Sequence, residues 1–75
     1  MMTWISTKEK LPRCWEKGAW DGLRSDLVLI KDEFGSIKLG CLYEGTLEGN
    51  KFQDWADDKD WIIDDKIIMW CQIPD

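Results

Sequence analysis

The stretch DLVLIKDEFGSIKLGCLY, residues 26–43, decides the fold that this sequence predicts. Two runs rich in apolar and β-branched residues, 26–31 and 36–43, flank a polar segment that ends at Gly35. Such runs are typical of strands. A loop that begins with Asp and ends with Gly suits a type I turn whose glycine adopts the left-handed conformation. The sequence therefore predicts a β-hairpin whose loop is residues 32–35.

This loop length fixes the register that we expect, because a slip of one residue would turn every side chain to the other face. It pairs Ile30 with Ile37 and Val28 with Leu39. One face then collects the predicted core: Val28, Ile30, Ile37, Leu39, Cys41 and Tyr43. The other face is mixed and half covered: Leu27, Leu29, Lys31, Lys38, Gly40 and Leu42. Gly40, in mid-strand, is expected to leave a gap that a tryptophan ring fills.

The segments outside the hairpin predict a small, mainly β domain of the α+β kind. Residues 51–55 and 66–73 have strand character, whereas residues 13–25 contain two glycines and no clear period and are interpreted as an irregular covering loop. We expect one domain, residues 1–75, with an antiparallel sheet of about three or four strands. The chain has no internal repeat or interdomain linker.

The N-terminal segment predicts one short helical turn. Ser6 precedes Glu9 by three residues, which is the spacing of a capping box in which the serine hydroxyl accepts the amide of that glutamate. Pro12 follows soon after and biases the residue before it away from helical dihedrals. Ser6 is therefore interpreted as a structural cap, and the helix as a single turn.

Composition and charge exclude several classes of function. The chain has 15 acidic and 10 basic residues and a net charge of -5, which disfavours generic binding to nucleic acid or to anionic membranes. Its apolar runs are too short to span a bilayer, and its start does not have the pattern of a secretory signal. Three widely spaced cysteines and no histidine favour free, mostly buried thiols in a reducing cytoplasm, with a single disulfide as the alternative.

The two ends of the chain resemble those of one small family. The opening Trp4-Ile5-Ser6, followed by Leu11-Pro12, and the closing segment 68–74, in which a proline follows Trp70 by four residues, resemble the domain of unknown function 551 family. The middle of the chain is also similar to that family: a strand that contains Gly40 and ends at Tyr43, and then Phe52.

The resemblance spans nearly the whole chain and departs from the family's pattern in two places. Residues 13–25 are longer than the usual link, and Cys71 and Gln72 stand where apolar or proline residues are expected. The resemblance implies a small antiparallel β domain of phage, prophage or bacterial origin. That family has no established activity, so the resemblance implies no catalytic residue and no cofactor.

The tryptophans have two interpretations. The six of them supply much of the apolar bulk that so short a chain needs for a core. On the structural interpretation, Trp4 and Trp70, at opposite ends of the chain, meet and close that core. On the functional interpretation, tryptophan rings form a stacking surface for a flat ligand such as a nucleotide.

The sequence argues against an enzyme and against a metal site. No histidine is present, and Cys14, although it lies between Arg13 and Lys17, has no evident neighbouring base. The acidic segment 54–65 has no glycine and so does not form an EF-hand loop. No cofactor is expected, and the acidic segment is interpreted as a solvated loop, with a weak cation site or a docking face for a basic partner as alternatives.

The function that the sequence predicts is a non-catalytic protein-interaction module that binds an unknown protein or a second copy of itself. The alternative is a small-ligand binder that uses tryptophan stacking. An apolar centre with an acidic rim forms the predicted contact surface: Trp15, Trp20, Leu27, Leu29, Leu42, Asp57, Asp58 and Asp60. Five further residues are assigned structural roles: Trp4, Ser6, Gly35, Gly40 and Trp70.

Overall fold

The computed structural model describes residues 3–17 and 22–73. These residues form one antiparallel sheet, so the mainly β prediction is confirmed, but the sheet has seven strands rather than three or four. The strands are β1 (Ile5–Ser6), β2 (Cys14–Lys17), β3 (Gly22–Ser25), β4 (Val28–Asp32), β5 (Ile37–Leu47), β6 (Asn50–Asp57) and β7 (Ile67–Gln72).

The long strand β5 organises the sheet. One of its edges pairs with β6, and its other edge pairs with β4 near one end and with β3 near the other. Strand β2 pairs with the outer edge of β3, and β7 pairs with the outer edge of β4 and also with β1. The order is therefore β1-β7-β4-β5-β3-β2, with β6 beside β5.

The central hairpin forms as predicted, but its register differs by one residue. Val28 lies opposite Gly40, and Ile30 lies opposite Lys38. The cause is the side chain of Asp32, whose Oδ1 accepts the amides of Phe34 and Ser36, each at 2.9 Å. These bonds shorten the loop to residues 33–35, with Gly35 in the predicted left-handed conformation at φ 88°.

The changed register corrects the predicted core. Ile37 and Leu39, expected inside, are 53% and 39% exposed, whereas Leu42, expected on the half-covered face, is buried. Cys41 and Tyr43 are buried as predicted. Residues 41–43 of β5 are therefore buried on both faces of the sheet, which a simple alternating pattern does not predict.

Gly40 allows close packing, but not by a tryptophan. A Cβ atom built at this glycine would lie 2.6 Å from Cδ1 of Ile30 and 2.7 Å from the carbonyl oxygen of Ala56. The space is therefore filled by Ile30 and by the backbone of the neighbouring strand. Any larger side chain at this position would require β5 to separate from its neighbours.

Trp70 belongs to the core, but Trp4 is not its partner there. Trp70 packs with Val28, Ile30 and Ile67 in a buried cluster that Ile5, Trp55 and Ile63 cover. Ile5, not Trp4, lies opposite Trp70 in the ladder between β1 and β7. Trp4 instead has the Nζ atom of Lys31 over its ring, 5.1 Å from the centroid.

The predicted N-terminal helical turn is not confirmed, and Ser6 does not form the predicted capping box with Glu9. Ser6 is in β1, and its hydroxyl accepts the amide of Lys8 at 3.2 Å rather than that of Glu9. The amides of Glu9 and Lys10 both donate to the carbonyl of Ser6, which makes a turn, and the described residues contain no helix. The turn carries the chain away from β1, and the indole of Trp70 holds the turn's end by donating to the carbonyl of Lys10 at 2.8 Å.

Of the predicted irregular loop, residues 13–25, the described residues 14–17 and 22–25 form strands β2 and β3, which pair with each other. Trp20 lies outside the described residues. All three cysteines are free, with Cys41 and Cys71 buried and Cys14 half-buried. Within the described ranges, the structure contains no helix that could cross a membrane.

Candidate functional site: a cleft where the sheet divides

The candidate site lies at an irregularity between β3 and β4. These strands follow the same edge of β5, but three residues lie between Arg24 and Val28 whereas only two lie between their partners, Tyr43 and Gly40. The chain therefore bulges at residues 25–27. The side chain of Ser25 takes the place of a backbone acceptor there: its hydroxyl oxygen accepts a hydrogen bond from the amide of Leu42 at 2.9 Å.

The bulge leaves a gap between the two outer strands. Strand β2 begins at Cys14, beside Ser25, and β7 ends at Gln72, beside Val28. The outer strands β2 and β7 are therefore separated between Cys14 and Gln72. Residues 10–13 cross this gap. The result is a cleft of about 410 Å³ with eight lining residues: Lys10, Pro12, Arg13, Trp15, Asp26, Val28, Trp70 and Gln72.

Two tryptophans line the cleft, and each is held by its indole nitrogen. Trp15 is 53% exposed, and its Nε1 donates to Oδ1 of Asp26 at 3.0 Å. Trp70 is buried, and its Nε1 donates to the carbonyl of Lys10. An exposed ring that is held in this way presents a fixed apolar surface.

The cleft has a positive side, although the chain is acidic overall. Lys10 and Arg13 are exposed on the segment that crosses the gap, and Asp26 is the one acidic residue among the residues that line the cleft. The amide of Gln72 adds both a donor and acceptors at the end of β7.

Two exposed apolar residues adjoin the cleft-lining residues in sequence. Beyond the pair Val28–Gln72, the next residues on the two strands are Leu27 and Ile73, which are 43% and 39% exposed. Leu27 adjoins Asp26, the partner of the Trp15 indole. We refer to Trp15, Leu27 and Ile73 as the apolar rim.

The other predicted contact residues lie elsewhere or are buried. Leu42 is buried and is not available to a partner, and Leu29 is half-buried. In the acidic loop, the Oδ1 atom of Asp57 accepts two amides of its own turn, and Oδ1 of Asp60 accepts the hydroxyl of Tyr43 at 2.5 Å. Only Asp58 of the three predicted rim aspartates is fully exposed.

Asp60 is part of a polar cluster beside a second buried cluster, which consists of Cys41, Tyr43 and Ala56. Arg24 lies 3.4 Å from Glu16 and 3.7 Å from Asp60, and Tyr43 is fully buried beneath them. Partial burial lowers the pKa of Arg24, but Glu16, Tyr43 and Asp60 together raise it. The guanidinium therefore stays charged, and the cluster is a polar closure of the fold.

The position of Cys14 between Arg13 and Lys17 does not lower the pKa of its thiol. Burial, together with the nearby Glu44 and Cys41, raises the pKa of this thiol to about 11. Its Sγ donates to the carbonyl of Leu42 at 3.2 Å. The thiol is protonated at neutral pH and is a poor nucleophile.

Metal binding finds no support in residues 3–17 and 22–73, where no group of His, Cys, Asp or Glu side chains is placed to hold an ion. A second depression of about 590 Å³ lies where β3, β5 and β6 meet. Its single aromatic residue, Phe52, covers Gly22, since a Cβ built on that glycine would lie 3.3 Å from the phenyl ring. The only aromatic ring of this depression thus packs against a glycine of the fold. The cleft, which has two tryptophans and two basic residues, is the better candidate for a binding site.

Sequence reasoning identified Trp15 and Leu27 but missed Lys10, Arg13, Gln72 and Ile73. Lys10 and Arg13 could have been found from the sequence, because they are two basic residues on either side of the Leu11-Pro12 dipeptide in an acidic chain. No family model, curated protein or solved structure that we compared with the chain matches it. The resemblance to the domain of unknown function 551 family therefore stays a prediction.

Proposed function

We propose that the protein is a non-catalytic interaction module that binds another protein through the apolar rim. The observation that supports this proposal is the exposure of three large apolar side chains, Trp15, Leu27 and Ile73, which line the cleft or adjoin in sequence the residues that line it. Large apolar side chains that are clustered on a surface lose contact with water when a partner covers them, and such clusters mark interaction sites.

The organisation of the rim favours a specific contact. Trp15 is an anchor of the type that dominates binding energy at interfaces, and its bond to Asp26 removes much of the rotamer freedom that binding would otherwise cost. Lys10 and Arg13 adjoin the rim and give it a positive side. We place the acidic loop outside this contact, because the carboxylates of Asp57 and Asp60 are used within the fold.

The biological setting is part of the same proposal. The resemblance of the chain ends to the domain of unknown function 551 family favours a phage or prophage protein that acts on a bacterial protein in the cytoplasm. Three free thiols are consistent with a reducing compartment.

The experiment compares three versions of the protein as bait in a bacterial lysate. Leu27→Asp/Ile73→Asp removes two apolar groups of the rim, and Leu47→Asp is a matched control because Leu47 is 60% exposed near the far end of β5. A protein retained by the wild type and by Leu47→Asp, but lost from the double variant, supports the proposal. Equal retention by all three, or retention of no protein, contradicts it.

A second measurement separates a foreign partner from self-association. Light scattering after size-exclusion chromatography gives the mass of the wild type and of Leu27→Asp/Ile73→Asp. A monomeric wild type is expected. A dimer that the double variant dissociates would replace the foreign protein with a second copy of this chain. Circular dichroism of each variant confirms that it is folded.

A further inference from the structure

We propose that the cleft between β2 and β7 binds a small aromatic anion, with its ring on the Trp15 indole and its anionic group at Lys10 and Arg13. This site goes beyond the protein contact proposed above. It shares Trp15 with the apolar rim, and otherwise it rests on Lys10, Arg13 and the interior of the cleft rather than on Leu27 and Ile73. The ligand class is a planar ring that carries one phosphate or carboxylate group, of the size of a nucleoside monophosphate.

The ring site is formed before any ligand arrives. The bond from the Trp15 indole to Asp26, at 3.0 Å, favours one orientation of a ring that is still half exposed. Pro12, Val28 and Trp70 are all buried and provide an apolar floor beneath it. A planar ligand therefore gains stacking and burial without first ordering the tryptophan.

Charge determines which way the ligand lies. Asp26 is at the indole edge of Trp15, so an anionic group is repelled from that end of the cleft. Lys10 and Arg13 lie on the segment that crosses the gap and provide charge-assisted hydrogen bonds to an anion. The amide of Gln72 is available to the polar edge of the ring.

Size and overall charge limit the ligand. A volume of about 410 Å³ falls within the range of small-molecule sites, roughly 300–1,000 Å³. The net charge of -5 opposes long polyanions, whose other phosphates would lie over acidic surface, but a single anionic group meets only the local pair of cations. The proposal therefore specifies a small molecule and not a nucleic-acid strand.

The test follows the indole N–H signals of ¹⁵N-labelled protein during titration with AMP, UMP and indole-3-acetate, the last as a carboxylate ligand. The Trp15 signal is assigned as the one missing from Trp15→Phe. We expect saturable movement of this signal with at least one of the three ligands. Adenosine and inorganic phosphate, which each carry half of the recognised chemistry, should bind at least about tenfold more weakly than AMP if AMP is the ligand.

Variants assign the site. Lys10→Ala/Arg13→Ala should weaken binding by about tenfold or more while leaving the fold intact, because both side chains are exposed. Trp15→Leu should abolish binding, and Trp15→Phe should retain part of it, as measured by isothermal titration calorimetry because these variants lack the Trp15 signal. Trp61→Leu is the matched control, since Trp61 is 71% exposed in the acidic loop, and it should bind like the wild type.

Two outcomes would overturn the proposal. One is the absence of any saturable movement of the Trp15 signal with all three ligands up to about 1 mM. The other is binding that Lys10→Ala/Arg13→Ala leaves unchanged. Leu27→Asp/Ile73→Asp should bind the small ligand normally while losing the partner protein, so that failure of this proposal and failure of the proposed function give different results.

Discussion

Two turns of this molecule, residues 32–36 and 57–61, have the same hydrogen bonds. In each turn, the first amide donates to the carbonyl of the fifth residue and the fourth amide donates to the carbonyl of the first, at 2.9–3.1 Å. In each, Oδ1 of the first residue, Asp32 or Asp57, also accepts the amides of the third and fifth residues. The turns differ at the fourth residue, which has a positive φ: Gly35 in one and Asp60 in the other.

This difference separates a turn that only reverses the chain from one that also carries a contact. A Cβ at Gly35 would meet no atom within 4 Å, so the requirement there is conformational. Asp60 adopts a φ of 65°, which is costly for most residues, but its carboxylate binds the hydroxyl of Tyr43 and faces Arg24. The same backbone thus tolerates strain where a side chain compensates for it.

The largest effect is expected for Asp32→Ala. Asp32 is only 3% exposed, and the change would leave two amides of the hairpin turn without their acceptor. The free energy of unfolding should fall by about 2–3 kcal/mol, as measured by urea denaturation. Asp32→Asn keeps an acceptor oxygen, so its free energy of unfolding should fall by less than half as much as that of Asp32→Ala. A loss no greater than that of Asp57→Ala would show that burial does not distinguish the two turns.

Gly35→Ala should cause the next largest loss of stability. With φ at 88°, the new Cβ is strained against its own backbone although the surrounding space is empty, and the expected loss is about 1–2 kcal/mol. The same denaturation experiment measures it, with Gly35→Asn as the control because asparagine tolerates this conformation better. Equal losses for the two variants would mean that conformation is not the cause.

Asp57→Ala should cost about 1 kcal/mol. Its hydrogen bonds match those of Asp32, but Asp57 is half-buried, so water replaces part of what is lost. Thermal unfolding of Asp57→Ala beside Asp58→Ala, the exposed neighbour, isolates the contribution of the turn. Identical melting temperatures for the two variants would exclude an anchoring role for Asp57.

Asp60→Gly should have the smallest net effect, within about 0.5 kcal/mol of zero. Relief of the left-handed conformation stabilises the turn by about 1 kcal/mol, and loss of the acceptor for the Tyr43 hydroxyl opposes it by a similar amount. Asp60→Asn keeps an acceptor and tolerates the conformation. If Asp60→Gly stabilised the protein by more than 1 kcal/mol, the contact with Tyr43 would not be compensating for the strain.

The comparison also shows why part of the fold could be predicted and part could not. Strands β4, β6 and β7 have apolar or aromatic runs that identify them in the sequence. The hairpin register depends on whether Asp32 accepts one turn amide or two, which composition does not specify. Strands β2 and β3 are short and contain polar and glycine residues, and they become strands because β5 extends far enough to pair with β3.

The candidate site, like the fold, could be predicted only in part. Trp15 and Leu27 could be identified because large apolar side chains in a polar context are conspicuous in a sequence. Lys10, Arg13 and Gln72 could not be assigned to them, since Gln72 follows Lys10 by 62 positions, and the pairing of β1 with β7 and the hydrogen bond from Trp70 to Lys10 bring the segments together. Leu42 was misassigned because the long strand β5 is covered on both faces there.

The position of β7 beside β4 has a consequence during synthesis. Strand β4 is made early and pairs with β5 soon afterwards, but its other edge waits until residues 67–72 have left the ribosome. In that interval a nascent chain displays an unpaired, apolar strand edge, which is the feature that recruits chaperones or seeds aggregates. The hydrogen bond from Trp70 to Lys10 also forms only then, so the end of the turn after β1 is held only once β7 has been made.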